Sequence, residues 1–225
     1  MARKSKASTH GLSVLGSLCG VLSLAVLASA SVIAYRVFLL QRTNYHLRLA
    51  IPKVCQELLS QRELFVRGIE EYKRKFGTYP PDHLISSEPL VVDAITNQLL
   101  YELLGTLQDP AAGTFAPAHF PAVKREMIKS FFNTAEFRNS ALLEEDVKHF
   151  IDVADISATV AVHNKPDVAL LGYFPGWEGI EPDIYAQVNL SSWRYNSSAP
   201  RHNPGGYDLW IEVKTSQTNI VVGNW

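Results

Sequence analysis

Cysteine is nearly absent from this chain, which contains only Cys19 and Cys55 among 225 residues. Small secreted domains that are held by disulfides need several pairs, so this class of fold is excluded. On one continuous helix the two cysteines would be about 54 Å apart, which is far beyond the reach of a disulfide. We therefore expect both to be unpaired apolar packing residues.

Recognisable catalytic motifs are also missing. The sequence has no G-x-S-x-G, H-E-x-x-H, P-loop or G-x-G-x-x-G pattern, and its seven histidines are scattered without metal-ligand spacing. The acidic run Glu144–Asp146, with Asp152 and Asp155 nearby, is more typical of a solvated helix face than of an acid–base pair. We expect a protein that is not an enzyme and that holds no cofactor and no metal.

The net charge of -1 provides no excess of Lys and Arg for phosphate contacts, so no nucleic-acid partner is expected. The charges are unevenly distributed, because seven of the 21 basic residues precede Glu57 and all 22 acidic residues lie from Glu57 onward. The first quarter of the chain is therefore a different kind of segment from the rest.

Residues 11 to 34 contain no charged side chain. As a helix they would span about 36 Å, against a hydrocarbon core of about 30 Å. Two interpretations stay open: a retained transmembrane helix, or a secretory signal cleaved after Ala30 at the small-residue site Ala28-Ser29-Ala30. A buried core helix fits less well, because basic residues flank the run on both sides (Arg3, Lys4, Lys6, Arg36 and Arg42).

From Val54 to Phe76 apolar residues recur every three or four positions with charged residues between them, which predicts an amphipathic helix. Only Pro52 interrupts the connection to the apolar segment, so we expect one long helix that is kinked or interrupted there. Gly77 and the pair Pro80-Pro81 mark its end.

In the remaining sequence the spacing of the apolar residues changes from helical to strand-like along the chain. Residues 88–104, 121–138 and 142–153 have helical spacing, and the proline-containing segment 108–121 between them is typical of a loop. Short β-branched or aromatic runs follow at 157–164, 168–174, 183–190, 207–213 and 219–225, and these predict an antiparallel sheet. Within 207–213 the odd-numbered residues Tyr207 to Val213 share the face that should pack on the long helix.

The predicted fold class is therefore α+β, with a long amino-terminal helix, its first half embedded in a membrane, packed on a small antiparallel sheet with a helical insertion. The aromatic residues of the second half allow one further interpretation. A carbohydrate-binding surface could form from Trp177, Trp193, Tyr185 and Tyr195 with Asn189 and Asn196, although core packing is more typical of such residues.

Three stretches resemble the type IV pilin-like proteins, and more narrowly the pseudopilins of type II secretion systems. A short basic peptide ends in Gly11 before the apolar helix that starts at Leu12. The long helix ends in a Gly-Thr-Tyr-Pro-Pro sequence, and the chain closes with a Tyr-Asp-Leu-Trp strand and a final Gly-Asn-Trp. The matching positions are Gly77, Tyr79, Pro80, Tyr207, Asp208, Trp210, Gly223, Asn224 and Trp225.

This resemblance implies a structural subunit that assembles into a filament or caps one. Its domains would be a leader peptide at 1–11 cleaved between Gly11 and Leu12, a transmembrane helix at 12–34, an amphipathic continuation at 35–76 and a periplasmic head at 77–225. The implied partners are other pseudopilins or pilins, a prepilin peptidase, an inner-membrane assembly platform and membrane lipid. The implied location is the bacterial inner membrane, crossed once. The alternative is a secreted soluble protein released after Ala30, for which carbohydrate binding is one interpretation.

The sequence departs from the family pattern near its start. Leu12 stands where the family prefers Phe, and Gly16 stands where most members carry a Glu that pairs with the amine of a neighbouring subunit. A subunit at the filament tip could dispense with that carboxylate. Gly16 and Gly20 instead form a G-x-x-x-G pair that permits close helix packing. Major pseudopilins often bind calcium in a carboxyl-terminal acidic loop, but the loop 214–219 has no carboxylate.

Overall fold

The computed structural model describes the backbone of residues 10–156, 159–162, 165–173, 191–214 and 218–225. Side chains are described for 29–42, 45, 51–156, 168–173, 191–214 and 218–225. The chain divides into two compact units, Met1–Ile51 and Pro52–Trp225.

Helix α1 spans His10–Phe76 and contains Pro52. In the first unit all residues described, 10–51, are helical, and the side chains of 29–42 are exposed. Arg36 and Arg42 interrupt the apolar residues of that stretch. Within the part of the chain that the structure describes, no helix is long and apolar enough to cross a membrane. The predictions of a membrane-embedded first half of the long helix and of a single-pass inner-membrane location are therefore wrong.

In the second unit, α1 buries one face in the core. The fully or nearly fully buried side chains recur every three or four residues, as the period of a helix requires. They are Val54, Leu58, Gln61, Leu64, Phe65, Ile69 and Tyr72. The rest of the second unit packs against this buried face of α1.

The described part of the second unit also contains two shorter α-helices and twelve strands. The helices are α2 Leu99–Leu104 and α3 Arg125–Phe132. The strands are β1 Leu84–Ser87, β2 Leu90–Val92, β3 Thr106–Asp109, β4 Thr114–Pro117, β5 Val123–Lys124, β6 Ser140–Ala141, β7 Thr159–Val162, β8 Lys165–Tyr173, β9 Ser191–Ser192, β10 Arg194–Asn196, β11 Asp208–Lys214 and β12 Asn219–Gly223.

These strands form four small sheets, in the orders β1-β2, β5-β4-β3-β6, β7-β8-β9 and β10-β11-β12. Only β3 and β6 pair in parallel, and every other described pair is antiparallel. The fold is α+β, but the prediction of a long helix packed on a single small antiparallel sheet is wrong. The predicted strand at 183–190 lies outside the described residues.

The predicted helical insertion contains strands as well as helices, and its segment 121–138 holds both β5 and helix α3. Residues 88–104 begin with β2 and only end with a helix of six residues, α2. Pro89 disfavours a helical Glu88, and Val91 and Val92 are β-branched, so the first half of the segment pairs with β1 instead. The predicted loop at 108–121 contains the end of β3 and all of β4. The predicted helix at 142–153 is replaced by the 3₁₀ turn Glu144–Asp146 and the start of a second one, Val153–Asp155.

The alternation predicted for the Tyr-Asp-Leu-Trp strand is present in β11. Leu209, Ile211 and Val213 are buried, as is Tyr207 just before the strand, whereas Trp210 and Glu212 are half-buried. Asp208 breaks the alternation because it is only 2% exposed. That buried carboxylate leads to the candidate site.

Candidate functional site

At the carboxyl end of α1, two groups donate hydrogen bonds to the last backbone carbonyls. Gly77 adopts a left-handed backbone conformation, with φ of 79°, and its N–H donates to the carbonyl of Lys73 at 2.7 Å. This is the usual way in which glycine ends a helix, since a Cβ would be strained there. The Arg138 guanidinium donates to the carbonyl of Phe76 at 2.9 Å and to the hydroxyl of Thr78. The chain therefore leaves the helix in a defined direction.

That exit places Tyr79 and Pro80 against the carboxyl-terminal sheet. The rings of Tyr79 and Tyr207 meet edge to face, with 4.9 Å between their centroids. The Pro80 carbonyl accepts hydrogen bonds from the Tyr195 hydroxyl at 2.9 Å and from the Ser197 hydroxyl at 3.0 Å. Two motifs that are far apart in the sequence are thus in contact in the fold.

Two buried carboxylates hold the loop at 197–203, which follows β10. Asp82 accepts from the backbone N–H groups of Ser197 and Ser198, both at 2.8 Å. Asp208 accepts from the backbone N–H groups of Arg201 at 2.6 Å, His202 at 3.0 Å and Asn203 at 2.9 Å. Carboxylates that accept several N–H bonds are strong anchors for backbone.

The electrostatics of Asp208 agree with this anchoring role. Burial alone raises the pKa of its carboxyl group, but the N–H groups of His202, Arg201 and Asn203 outweigh burial, so its pKa lies below the ordinary value. Asp208 therefore remains ionised at neutral pH. Its carboxylate also lies 3.4 Å from Nδ1 of His202.

The final Gly-Asn-Trp sequence contacts both β11 and the loop at 197–203. Asn224 accepts from the Leu209 N–H at 2.9 Å and donates to the Tyr207 carbonyl at 3.0 Å. The Trp225 ring stacks on the imidazole of His202, with 3.9 Å between centroids and 12° between planes. A Cβ on Gly223 would lie 2.8 Å from atoms of the Trp225 ring, so only glycine fits beneath that ring.

A cleft of about 570 Å³ lies between Trp225 and the exposed face of α1. Its lining includes three basic and three acidic residues, which are Arg62, Arg67, Arg74, Glu63, Glu70 and Glu71. Arg62 also donates to the Gly223 carbonyl at 3.3 Å. The lining is therefore balanced in charge, which suits a protein contact better than a small apolar ligand.

The structure therefore brings together most of the residues that carry the resemblance. Tyr79, Pro80, Tyr207, Asp208, Gly223, Asn224 and Trp225 lie in one connected cluster, and Trp210 approaches Trp225 at 6.0 Å between ring centroids. The backbone of Gly11, Leu12, Gly16 and Gly20 lies in α1, and the surroundings of these four residues are outside what the structure describes.

Sequence reasoning also missed a third buried carboxylate, Glu102 in α2. It accepts from the Tyr72 hydroxyl at 2.8 Å and from the N–H groups of Arg138 at 2.9 Å and Asn139 at 3.0 Å. Burial raises the pKa of Glu102, and burial followed by the Glu102 charge raises the pKa of Tyr72. A lone carboxylate inside the apolar run Leu-Leu-Tyr-Glu-Leu-Leu was the available signal.

The aromatic residues that could have bound a sugar do not form a surface in the part of the chain that the structure describes. Trp193 and Tyr195 are both 0% exposed, and Trp193 donates to Oε1 of Gln61 at 3.0 Å. Both rings pack in the core, so no sugar can stack on them. Trp177, Tyr185 and Asn189 lie outside the described residues, and Asn196 binds the backbone of Ala199 instead.

Within the described part of the chain, the other candidate residues do not come together in a catalytic or metal-binding arrangement. Glu144, Glu145 and Asp146 are exposed in a 3₁₀ turn, and Asp152 caps the next turn by accepting from the Ala154 N–H. His119 and His149 line a cleft of about 500 Å³ with Asp152 and Asp155. Among the residues that the structure describes, no group of His, Cys, Asp and Glu could hold a metal ion.

Comparisons with protein-family models, with curated proteins and with solved structures found no match to this chain.

Proposed function

We propose that this chain is a pseudopilin-like structural subunit of a type II secretion or type IV pilus apparatus, which assembles into a filament or caps one. The observation that supports the proposal is the contact between its two most distinctive motifs. Tyr79, in the sequence that ends α1, packs against Tyr207 of the closing strand motif. Asn224 then holds the backbone of Tyr207 and Leu209, and Trp225 stacks on His202 of the neighbouring loop.

The role of such a subunit is mechanical, since its head must stay attached to the helix that is pulled or packed. Several polar contacts join α1 to other parts of the second unit. Glu57 accepts from the Tyr173 hydroxyl of β8 at 2.5 Å, Gln61 accepts from Trp193 between β9 and β10, Arg62 donates to the Gly223 carbonyl of β12, and Tyr72 donates to Glu102 of α2. Because these contacts are spread along the helix, a load applied to this part of α1 is shared among several elements.

The alternative of a secreted carbohydrate-binding protein receives no support from the described aromatic residues. Trp193 and Tyr195 belong to the core. The buried carboxylates of Asp82 and Asp208 already accept hydrogen bonds from backbone N–H groups of the chain itself. A subunit that presents its outer surface to other proteins accounts for these features better.

Processing by a prepilin peptidase tests the proposal. The full chain is produced with and without such a peptidase, and its mass is measured. We expect the peptidase to remove residues 1–11 and leave Leu12 at the amino terminus. Gly11→Leu should block this step, because the peptidase accommodates only a small residue before the bond that it cleaves.

Gly20→Leu is the matched control, since it makes the same change beyond the cleavage position and should leave processing intact. An unchanged mass with the peptidase present would refute the proposal. A mature chain that begins at Ser31 would favour the secreted alternative.

A further inference from the structure

The outward side of α1 carries a regular row of polar side chains. Six exposed residues follow one another at alternating steps of four and three positions, and they are Gln56, Ser60, Glu63, Arg67, Glu70 and Arg74. Steps of four and three keep side chains on one side of a helix. The buried residues Leu58, Phe65 and Tyr72 occupy the opposite side. We call the six exposed residues the outer row.

The outer row lies between two clefts of the second unit. The cleft toward Trp225 measures about 570 Å³, and the cleft toward Ile151 measures about 500 Å³. Arg67 lines both of them, so the outer row is a ridge with a groove on either side. Such grooves leave room for the side chains that flank the contact line of a second helix.

The charged groups of the outer row are held only weakly within the chain. The side chains of Glu63 and Arg74 are each 75% exposed, and each reaches a neighbour on the same helix, Arg62 at 3.6 Å and Glu71 at 3.7 Å. Arg67 forms no ion pair with any carboxylate that the structure describes. Exposed ion pairs of this kind contribute little to stability, so little is lost when they are exchanged for contacts with another molecule.

The outer row is complementary to itself when a second copy of α1 runs in the opposite direction. In an antiparallel pair centred between positions 63 and 67, Glu63 of each chain faces the partner's Arg67. Further from the centre, the Ser60 hydroxyl faces the partner's Glu70 carboxylate. At the ends, the Gln56 side-chain carbonyl faces the partner's Arg74 guanidinium. A two-fold axis produces each of these contacts twice, and every one of them joins a donor to an acceptor.

A parallel pair in register has the opposite electrostatics. Each residue would then face its own copy, so that Glu63, Arg67, Glu70 and Arg74 would each meet a like charge. Like charges that face each other across an interface are unfavourable. The order of the charges therefore selects the antiparallel direction.

We propose that the outer row docks against the outer row of a second copy of this chain, in an antiparallel pair with two-fold symmetry. Val66 is half-buried beside the centre of the row, and it adds an apolar contact with the partner's Val66. Because the contact is small and mostly polar, the pair is weak and sensitive to salt. This inference goes beyond the proposed function and does not depend on it.

Charge reversal in the purified full chain tests the pairing, with association measured by analytical ultracentrifugation. Glu63→Arg sets two positive charges against each other at both central contacts, and Arg67→Glu sets two negative charges there. We expect each variant alone to associate about tenfold more weakly than the wild type. A mixture of the two variants restores both ion pairs, so the mixed dimer should form with about the wild-type affinity.

Cysteine cross-linking tests the direction of the two helices. In a chain that carries Cys19→Ser and Cys55→Ser, the further substitutions Gln56→Cys and Arg74→Cys are made separately. An antiparallel pair predicts a disulfide between the two different variants and little cross-linking of either variant with itself. A parallel pair in register predicts the reverse.

Glu126→Arg is the matched control, since it makes the same charge reversal at an exposed position of α3. It should change the association by less than about twofold. Association through the exposed apolar residues of 29–42 would respond to neither reversal, and mixing would not alter it. A wild-type chain that stays monomeric, single variants that associate as the wild type does, a mixture that regains nothing, or a preference for self-cross-linking would each overturn the proposal.

Discussion

The rings of Tyr79 and Tyr207 meet at 62° with 4.9 Å between centroids, and this contact joins the end of α1 to the start of β11. Lys73 reinforces it, since its ammonium group lies 4.0 Å above the Tyr79 ring and donates to the Tyr79 hydroxyl at 2.9 Å. Burial, and then the charge of Glu70, raise the pKa of Tyr207, so its hydroxyl stays neutral at physiological pH. The contact therefore persists over the whole physiological pH range.

Replacement of Asp208 by Asn should destabilise the protein. The variant loses the charge that binds three backbone N–H groups, and we expect the free energy of unfolding to fall by about 2 kcal/mol at pH 7. Because the pKa of Asp208 is lowered in the folded state, its stabilising effect is complete above the unfolded value of about 3.9 and is lost as the pH falls below it.

Urea denaturation of both proteins at several pH values measures this difference, which should narrow under acidic conditions. Asp155→Asn is the matched control, because Asp155 is exposed and should have little effect on stability. A difference between wild type and Asp208→Asn that is independent of pH would contradict the anchoring role.

Gly223→Ala should displace the Trp225 ring. The new Cβ would lie 2.8 Å from three atoms of that ring, which is closer than such contacts allow. The stacked ring shifts the imidazole proton resonances of His202 upfield, so we expect these resonances to move back toward free-histidine positions in NMR spectra. Gly206→Ala is the control, since its nearest contact would be an ordinary 3.4 Å. Unmoved resonances in Gly223→Ala would show that the stack does not depend on Gly223.

Removal of the Glu102 carboxylate should be costly. Glu102→Ala leaves the Tyr72 hydroxyl and the N–H groups of Arg138 and Asn139 without their acceptor, and we expect a loss of about 3 kcal/mol in the free energy of unfolding. Tyr72→Phe removes only one donor and should cost about 1 kcal/mol. Chemical denaturation measures both, and equal losses would argue against a shared carboxylate.

The pH dependence of Glu102 has the opposite sign to that of Asp208. Since burial raises its folded-state pKa, the protonated form is favoured by folding, and the free energy of unfolding decreases as the pH rises above the unfolded value of about 4.3. Glu102→Gln should remove this slope. Denaturation curves from pH 4 upward that keep the wild-type slope in the variant would assign it to another group.

Close packing of α1 against the segment at 150–151 depends on Gly68. An added Cβ would lie 2.8 Å from Cγ2 of Ile151 and 3.3 Å from the Phe150 carbonyl oxygen. Gly68→Ala should therefore destabilise the protein by about 1 to 3 kcal/mol, although alanine is the better helix former. In a double-mutant cycle Ile151→Ala should relieve part of that cost, and strict additivity would contradict direct contact.

Periodicity predicted the buried faces of α1 and β11 because it is a local property of the sequence. Val54, Leu58, Phe65, Ile69 and Tyr72 repeat with the period of a helix, and their burial follows from that repeat. The anchoring roles of Asp82 and Asp208 could not be predicted in this way. Their partners are backbone N–H groups of the loop at 197–203, and such groups leave no signal in the side-chain pattern.

The wrong predictions of helix and loop between residues 88 and 156 have a related cause. Leu99 to Leu104 have helical spacing and do form α2, but the same spacing extends falsely back through Val91 and Val92, which pair in a hairpin. In short apolar runs helix and strand patterns overlap, and tertiary pairing decides between them. The predicted helix at 142–153 failed in the same way, because Leu142 and Leu143 have the spacing of a helix start but are followed by a 3₁₀ turn.

The loop held by Asp82 and Asp208 is bound mainly through main-chain N–H groups, so its path depends little on the side chain at position 201. Arg201 is exposed, and almost any residue could replace it without altering the backbone. His202 differs, because its ring stacks on Trp225. Proline is excluded at 201, 202 and 203, because it has no N–H to donate. Position 201 can thus change what the loop displays while the fold stays the same.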